Sequence, residues 1–420
     1  MKTKLFSLLA FTYCFFSYSQ QNLISVSTEK TQADSTSFLK ATNFLERIRI
    51  SGYIQTQYEY GDRDASLKVG TGNENALQSF NRFGIRRGRL KFMYEKEIVQ
   101  AVFQIDLTEQ KIGIKDAYLQ IHNPWLGNSY VRAGMFNRPF GQQIAYSSSR
   151  REPPERAMIF QTLFPDERDL GFMFTLQASE ASPWSFLKLK AGLFAGNGIN
   201  PEIDSKKDFI GQLTAKKSIY KNFDIQAGLS YYNGKVYQGT ENIFRIKNHT
   251  FILDNRSSNK GDYAKREYIG ADFQIAFDNN IGNTQIRTEY IFGTQPGAQH
   301  NSKSPNASSL PENDSYIRSF EGGYITLIQN FNNTKWSGVM NYDWYNPNTK
   351  LSGDSIGLNY SHKGDIAYRT IGFGAVWDIR DYLRIHAYYD IVKNETSKNL
   401  EGYEKDLKDN HFTLRLQIKF

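Results

Sequence analysis

Five arginines and five carboxylates crowd into one stretch of this 420-residue chain, and they pose the first chemical question. The stretch runs Phe136-Asn-Arg-Pro-Phe-Gly141, then Ser147-Ser-Ser-Arg-Arg-Glu-Pro-Pro-Glu-Arg156, then Phe164-Pro-Asp-Glu-Arg-Asp-Leu-Gly171. Arg138, Arg150, Arg151, Arg156 and Arg168 are matched in number by Glu152, Glu155, Asp166, Glu167 and Asp169. Paired charges fix the shape of such a segment, and unpaired guanidiniums offer a fork of donors to a passing anion. Arg138, Arg150, Arg151 and Arg156 are therefore the expected solute contacts.

Bond-making chemistry has no comparable support. His122, His249, His300, His362, His386 and His411 are scattered, and no two have metal-ligand spacing. No glycine loop that could cradle phosphate precedes a helix, and no nucleophile elbow is present. Ser148 and His411 are the residue types an outer-membrane lipase would need, but nothing in the sequence brings them together. The only cysteine, Cys14, lies in a segment expected to be removed, which excludes disulfides, thiolate metal sites and a cysteine nucleophile from the mature chain. We expect no enzyme activity, no cofactor, no metal and no nucleic-acid partner.

That removed segment is residues 1–20. Lys2 and Lys4 precede a mostly apolar run from Leu5 to Phe16, followed by Ser17 to Gln20, the layout of a secretory signal. A helix needs about 20 apolar residues to cross a bilayer, so the run is too short to be an anchor. Residues 21–46 are polar and read as a periplasmic leader without a core of its own. Loss of the two lysines lowers the formal charge of +8 by two, leaving a mild tilt toward anionic partners.

Residues 47–420 must then position the charged stretch. Their mean hydropathy is polar, −0.56, yet Phe, Tyr and Trp make up 15% of the chain. Alternation reconciles the two. Phe412, Leu414, Leu416, Ile418 and Phe420 oppose Thr413, Arg415, Gln417 and Lys419. Val99, Ala101, Phe103, Ile105 and Leu107 oppose Gln100, Gln104 and Asp106. Only every second residue of a membrane strand faces lipid, so hydropathy averages conceal the span. The fold class is all-β, a transmembrane antiparallel barrel of about sixteen strands. Segments begin near Arg47, Arg82, Ile98, Ile114, Ser129, Leu170, Ser185, Asp208, Asn222, Arg266, Gly282, Ile317, Lys335, Tyr368, Tyr382 and Asn410.

Links between segments alternate in length. Glu95–Glu97, Ile219–Lys221, Asp278–Ile281, Phe331–Thr334 and Ile379–Asp381 are tight. Gly61–Phe80, Phe136–Asp169, Tyr232–Lys265, Thr294–Tyr316, Asn346–Ala367 and Asn394–Asp409 are long. This is the pattern of short periplasmic turns and long extracellular loops. The arginine-rich stretch is the third outer loop, expected to fold into the lumen. In the second segment the apolar parity switches at Arg86–Arg87, which a β-bulge would repair.

The expected lumen face carries Arg47, Arg49, Arg89, Lys91, Arg132, Lys188, Lys190, Arg287, Arg384, Arg415 and Lys419, with Asp106, Asp116, Glu289, Glu321, Asp343 and Asp390 among them. Some of these charges would pair across strands and stiffen the wall. Trp125, Tyr130, Trp184, Trp336, Tyr342, Trp344, Trp377 and Tyr382 fall near strand ends, as interface girdles do. Tyr231-Tyr232 and Tyr388-Tyr389 keep open a track of rings for sugars.

Four motifs in order resemble the phosphate-selective porin O and P family: Arg86-Arg87-Gly-Arg89, Gly134 to Gly141 with Pro139-Phe140-Gly141, the serines leading to Glu155-Arg156, and Glu167-Arg168-Asp169-Leu170-Gly171. The resemblance covers most of the chain. It implies a homotrimeric sixteen-stranded porin with an inward third loop and arginines and lysines lining an anion path. The terminal Phe420 resembles the signal read by the barrel-assembly machinery. The expectation is a passive outer-membrane channel for small hydrophilic solutes with an anion, phosphate-like preference. Its contact residues would be Arg138, Arg150, Arg151, Arg156, Arg89, Lys91, Arg132, Lys188 and Lys190. Its partners are outer-membrane lipid, small anionic solutes and the assembly machinery. Two alternatives are a non-conducting adhesin or scaffold barrel and a sugar-selective porin.

Overall fold

The computed structural model describes residues 46–109, 111–220 and 222–420. The expected signal segment and most of the leader lie outside the described residues.

Period-two alternation organises nearly the whole chain into strands. Nine come first: β1 (Ile48–Gly61), β2 (Phe80–Lys96), β3 (Val99–Leu107), β4 (Ile112–His122), β5 (Tyr130–Asn137), β6 (Arg168–Leu176), β7 (Leu187–Phe194), β8 (Asp208–Tyr220) and β9 (Phe223–Tyr237). A short pair follows, β10 (Ile243–Lys247) and β11 (Thr250–Asp254). Seven more complete the set: β12 (Tyr263–Asp278), β13 (Gly282–Gly297), β14 (Ser315–Phe331), β15 (Trp336–Asn346), β16 (Tyr368–Arg380), β17 (Leu383–Asn394) and β18 (His411–Lys419).

Each strand other than β10 and β11 pairs with its sequence neighbours, β9 pairs with β12, and β18 pairs back onto β1 from Tyr53↔Lys419 to Gly61↔His411. The result is a closed antiparallel barrel of sixteen strands. Closure removes every unpaired edge, the condition for a sheet to survive in hydrocarbon. Every barrel strand starts within three residues of the position expected from alternation.

Burial alternates with the same period. In β1, Gln55, Gln57 and Glu59 are buried while Ile54 and Tyr60 are exposed. In β18, Thr413, Arg415 and Gln417 are buried while Leu414, Leu416 and Ile418 are exposed. Polar groups inside and an apolar outer belt invert the soluble pattern, and the belt is far larger than the patches soluble proteins expose. The chain is a membrane-spanning barrel of the outer-membrane type. Trp125, Trp184, Trp336 and Tyr382 are exposed at the short-turn end, and Trp336 stacks on Trp377 at 5.0 Å.

Three expectations need correction. Glu321 faces outward, where the Tyr290 hydroxyl donates to it at 2.7 Å. It follows the outward parity of Ile325 and Leu327. Tyr130 faces inward beneath the Arg132 guanidinium, so it is not part of a girdle. The long link after β9 is not featureless. β10 and β11 form a hairpin through Asn248 and His249, both with positive φ, and β10 pairs in parallel with β14. Phe244 and Phe251 thereby join Tyr316, Leu351, Ile356, Ile366 and Leu400 in a small core built from the outer loops.

Candidate functional site

Two bulges prepare the inner wall for the third loop, residues 138–167. In β2 the exposed large apolar residues are Phe83 and Ile85 before the switch and Phe92 after it, while Arg86 and Arg87 both reach Glu155 on the inside. A regular strand would send adjacent side chains to opposite faces, so the bulge is what delivers two neighbouring guanidiniums inward. The second bulge is in β4, where the register against β3 slips between Gln104↔Asp116 and Ile105↔Ile114. Lys115 and Asp116 both point in. The Lys115 ammonium donates to Asp166 at 3.1 Å, and Asp116 accepts from Arg168 at 3.1 Å.

The loop is tied to inward residues around most of the ring. Glu289 of β13 accepts the backbone N–H groups of Gln142 at 2.9 Å and Gln143 at 2.8 Å. The Gly141 N–H donates to Ser230 of β9 at 2.9 Å. Gly141 has φ +59° and lies against the Glu289 carboxylate, so no Cβ fits there. On the opposite wall the Gln55 and Gln417 amides donate to the Ser148 and Ser149 carbonyls, both at 3.0 Å. Glu155 accepts from Arg86, Arg87 and Arg415 at 2.8–3.3 Å. Burial alone would raise the Glu155 carboxyl, but the three arginines override it and hold it well below the usual carboxylate range.

A short helix, α1 (Met158–Leu163), follows Pro153-Pro154. At six residues it gains little from its own hydrogen bonds. Burial holds it: Ile159, Phe160 and Leu163 pack with Phe136, Phe140 and Phe164 against Tyr232, Tyr268, Phe320 and Tyr324 of the wall. The Met158 N–H also donates to Asp343 at 3.2 Å. One side of the barrel interior is thus a dry aromatic core. Truncating one such ring costs roughly 3–5 kcal/mol.

Water-accessible space remains on the other side, around β1 to β5 and β18. A cavity of about 270 Å³ opens among outer-loop residues, including Lys68, Glu109, Lys111 and Lys303, and reaches Arg86, Arg87 and Glu155. A second, of about 550 Å³, is bounded by Ser51, Gly52, Lys419 and Phe420 at the short-turn end. Arg89 and Arg156 line both. The larger cavity presents Arg89, Lys91, Arg132, Arg150, Arg156, Arg168 and Lys419 against Asp116 alone among side-chain carboxylates.

The residues singled out from sequence therefore divide. Arg89, Lys91, Arg132, Arg150 and Arg156 line the larger cavity. Arg89 lies 3.4 Å from Asp106, and Arg132 donates to Gln120 at 2.6 Å beside the Tyr118 ring. Arg156 pairs with Glu167, and burial lowers it to about 10 despite that partner. Lys188 and Lys190 share an inward face of β7, with Lys190 donating to Gln212 at 3.3 Å, away from both cavities. Arg138 is only 2% exposed and sits 3.2 Å from Asp169 at the loop root. Arg151 is 3% exposed and also lies off the cavity walls.

Lys419 and Asp116, expected on the lumen face, line the larger cavity together with Arg168, which sequence reasoning did not single out as a contact. Ser148 and His411 stay apart in function: Ser148 bonds Tyr53 at 2.6 Å, and His411 lies 3.3 Å from Asp390. The paired tyrosines split between faces, as adjacent strand residues must. Tyr232 and Tyr388 are buried inside, whereas Tyr231 is exposed outside, so no ladder of rings forms.

No family model and no curated protein matches the chain. Solved structures do. The outer membrane channel DcaP of Acinetobacter baumannii is similar at a TM-score of 0.51 and 11% identity, over 89% of this chain and 97% of that one. OmpF of Salmonella typhi, solved in complex with daunomycin, gives 0.53 and 12% over 89% and 97%. OprB of Pseudomonas putida gives 0.55 and 8% over 91% and 96%. At such identities the likeness is one of fold.

Proposed function

We propose that this protein is a passive diffusion channel of the outer membrane for small hydrophilic solutes, with a preference for anions of the phosphate type. The fold shared with outer-membrane channels supports the transport half. The anion half rests on one observation, the larger cavity lined by seven cationic side chains and one side-chain carboxylate. Because Arg89 and Arg156 border both cavities, a solute moving between the two ends passes these guanidiniums. They meet an oxyanion as forked donors. The bulged Arg86–Arg87 pair and Lys68 border the outer approach. The same reading carries the homotrimer implied by the family resemblance, which the mass of the detergent-solubilised assembly tests.

The decisive experiment is a planar-bilayer recording of the purified barrel in a salt gradient. The reversal potential should shift toward the anion. Lys91→Gln with Arg150→Gln should reduce that shift, since both line the larger cavity and neither makes an ion pair among the described residues. Repeated reconstitution without conductance would remove the channel reading and favour a scaffold barrel. Conductance with unchanged selectivity in the double variant would remove the anion path through this cavity.

A further inference from the structure

Loop residues 149–154 run along β17 and β18, and their carbonyls mark the path. The Ser149 carbonyl accepts from Gln417 at 3.0 Å, that of Arg150 from Arg384 at 3.1 Å, and that of Pro154 from Arg415 at 2.8 Å. In the sheet, Arg384 is opposite Gln417 and His386 is opposite Arg415. Arg151 is therefore bracketed over the His386–Arg415 row.

Both Arg151 and His386 are enclosed without partners. His386 is 1% exposed. The Nε, Nη1 and Nη2 atoms of Arg151 and both ring nitrogens of His386 are buried with no hydrogen-bond partner among the described residues. Every nearby carboxylate is already committed. Glu152 accepts from Arg287 at 2.8 Å and from Tyr146 at 3.1 Å. Asp378 accepts from Arg384 at 2.6 and 2.8 Å. Glu155 serves Arg86, Arg87 and Arg415, and Glu167 serves Arg156 and Arg168. The surroundings add positive charge, from Arg384, Arg415 and Lys419 on the wall and from Arg87 and Arg156 across the loop.

A buried guanidinium without a counter-ion costs several kcal/mol, so a folded chain must either remove the charge or neutralise it. Arginine does not give up its proton readily. The route for a counter-ion is short: Arg150, the preceding residue, and Lys419 both line the 550 Å³ cavity.

We propose that a small inorganic anion, chloride or phosphate, is a resident ligand of this barrel, held between Arg151 of the third loop and His386 of the wall. Arg151 supplies the charge and a fork of N–H donors, and the imidazole supplies a ring N–H. The anion joins the loop to β17 and β18 as a structural clamp. It is not the solute in transit.

Thermal unfolding of the detergent-solubilised barrel tests this, in potassium gluconate with chloride or phosphate titrated in at constant ionic strength. In the unsubstituted protein the midpoint should rise with the small anion and saturate. An anion at 100 times its dissociation constant raises the folded-to-unfolded ratio about 100-fold. Arg151→Met and Arg151→Gln should both lose that increment, and His386→Gln should weaken it. If no anion binds, the midpoint is insensitive to both salts, and Arg151→Met is more stable than the unsubstituted protein in gluconate, because it removes a lone buried charge. That pair of results would overturn the proposal, as would an anion response that Arg151→Met leaves intact. None of these outcomes depends on conductance, so the clamp and the channel can fail separately.

Discussion

Replacing Glu155 by glutamine should make the channel more anion-selective without opening it. The structure sets the size of the effect. Glu155 is one carboxylate among Arg86, Arg87 and Arg415, and it borders the outer cavity. Glutamine keeps a carbonyl oxygen that can still accept from one guanidinium, and the node gains one net positive charge. A monovalent anion passing at about 8 Å gains ~0.5 kcal/mol if the lumen behaves as bulk water and ~2 kcal/mol at an effective dielectric constant of 20. A monovalent cation at the same point loses as much, so the anion-to-cation permeability ratio should rise by ~1 to ~4 kcal/mol, between about sixfold and about a thousandfold at tenfold per ~1.4 kcal/mol. The loop should hold, because its carbonyls and Glu289 bind it elsewhere. Breaking a buried pair costs at most ~3–5 kcal/mol, less here since the amide still accepts. Reversal potentials in a tenfold potassium chloride gradient give the ratio, and heat-modifiable electrophoretic mobility checks that the barrel has formed. A folded variant whose selectivity is unchanged, or shifted toward cations, would refute the view that this node sets the field of the outer cavity.

Other substitutions probe other links. Gly141→Ala forces a Cβ against Glu289 at a positive φ. It should cost about 1–3 kcal/mol locally and appear as faster proteolysis of the third loop in the assembled barrel. Asp409, in the last outer loop, borders a 110 Å³ cavity with Asp343 and Asp390, and burial followed by Asp406 raises it to about 6. The folded loop thus holds this proton more tightly than the unfolded chain. Its stabilising effect is complete below pH about 4 and is lost as the pH rises through about 6. Lowering the pH from 7.5 to 5 should therefore remove a negative charge and increase anion preference, and Asp409→Asn should abolish that part of the response. Leu229→Lys, in the exposed outer belt of β9, should cost about 2–4 kcal/mol when folding into vesicles is titrated with urea. Its tolerance would argue that this face does not meet lipid.

Much of the architecture could be read before any coordinates, because a membrane strand writes its faces into alternate residues. Strand starts in β1 to β9 and β12 to β18 followed from that pattern, and the Arg86–Arg87 slip pointed to a bulge. Glu321 failed for a local reason. It precedes Gly322 and Gly323, which carry no side chain to declare a face, so its parity had to be taken from Ile325 and Leu327. The β10–β11 hairpin escaped because Asn248-His249 replaces the usual asparagine–glycine turn. The fates of the arginines were not legible at all. Arg138 and Arg150 look alike in sequence, yet one meets Asp169 at the loop root and the other opens to water. That difference depends on where β13 and β18 place Glu289 and Gln417, which are more than a hundred residues away.

The aromatic mass on one side of the lumen separates two properties that strand number would otherwise tie together. Sixteen strands fix the circumference, but Phe140, Phe160 and Phe164 decide how much of the cross-section stays wet. Bore can therefore be retuned by trimming or enlarging this internal wedge while the lipid-facing scaffold and its strand pairing stay as they are. Each widening surrenders part of the packing that keeps the wedge seated, so permeability in this design is bounded by the cohesion of its own interior.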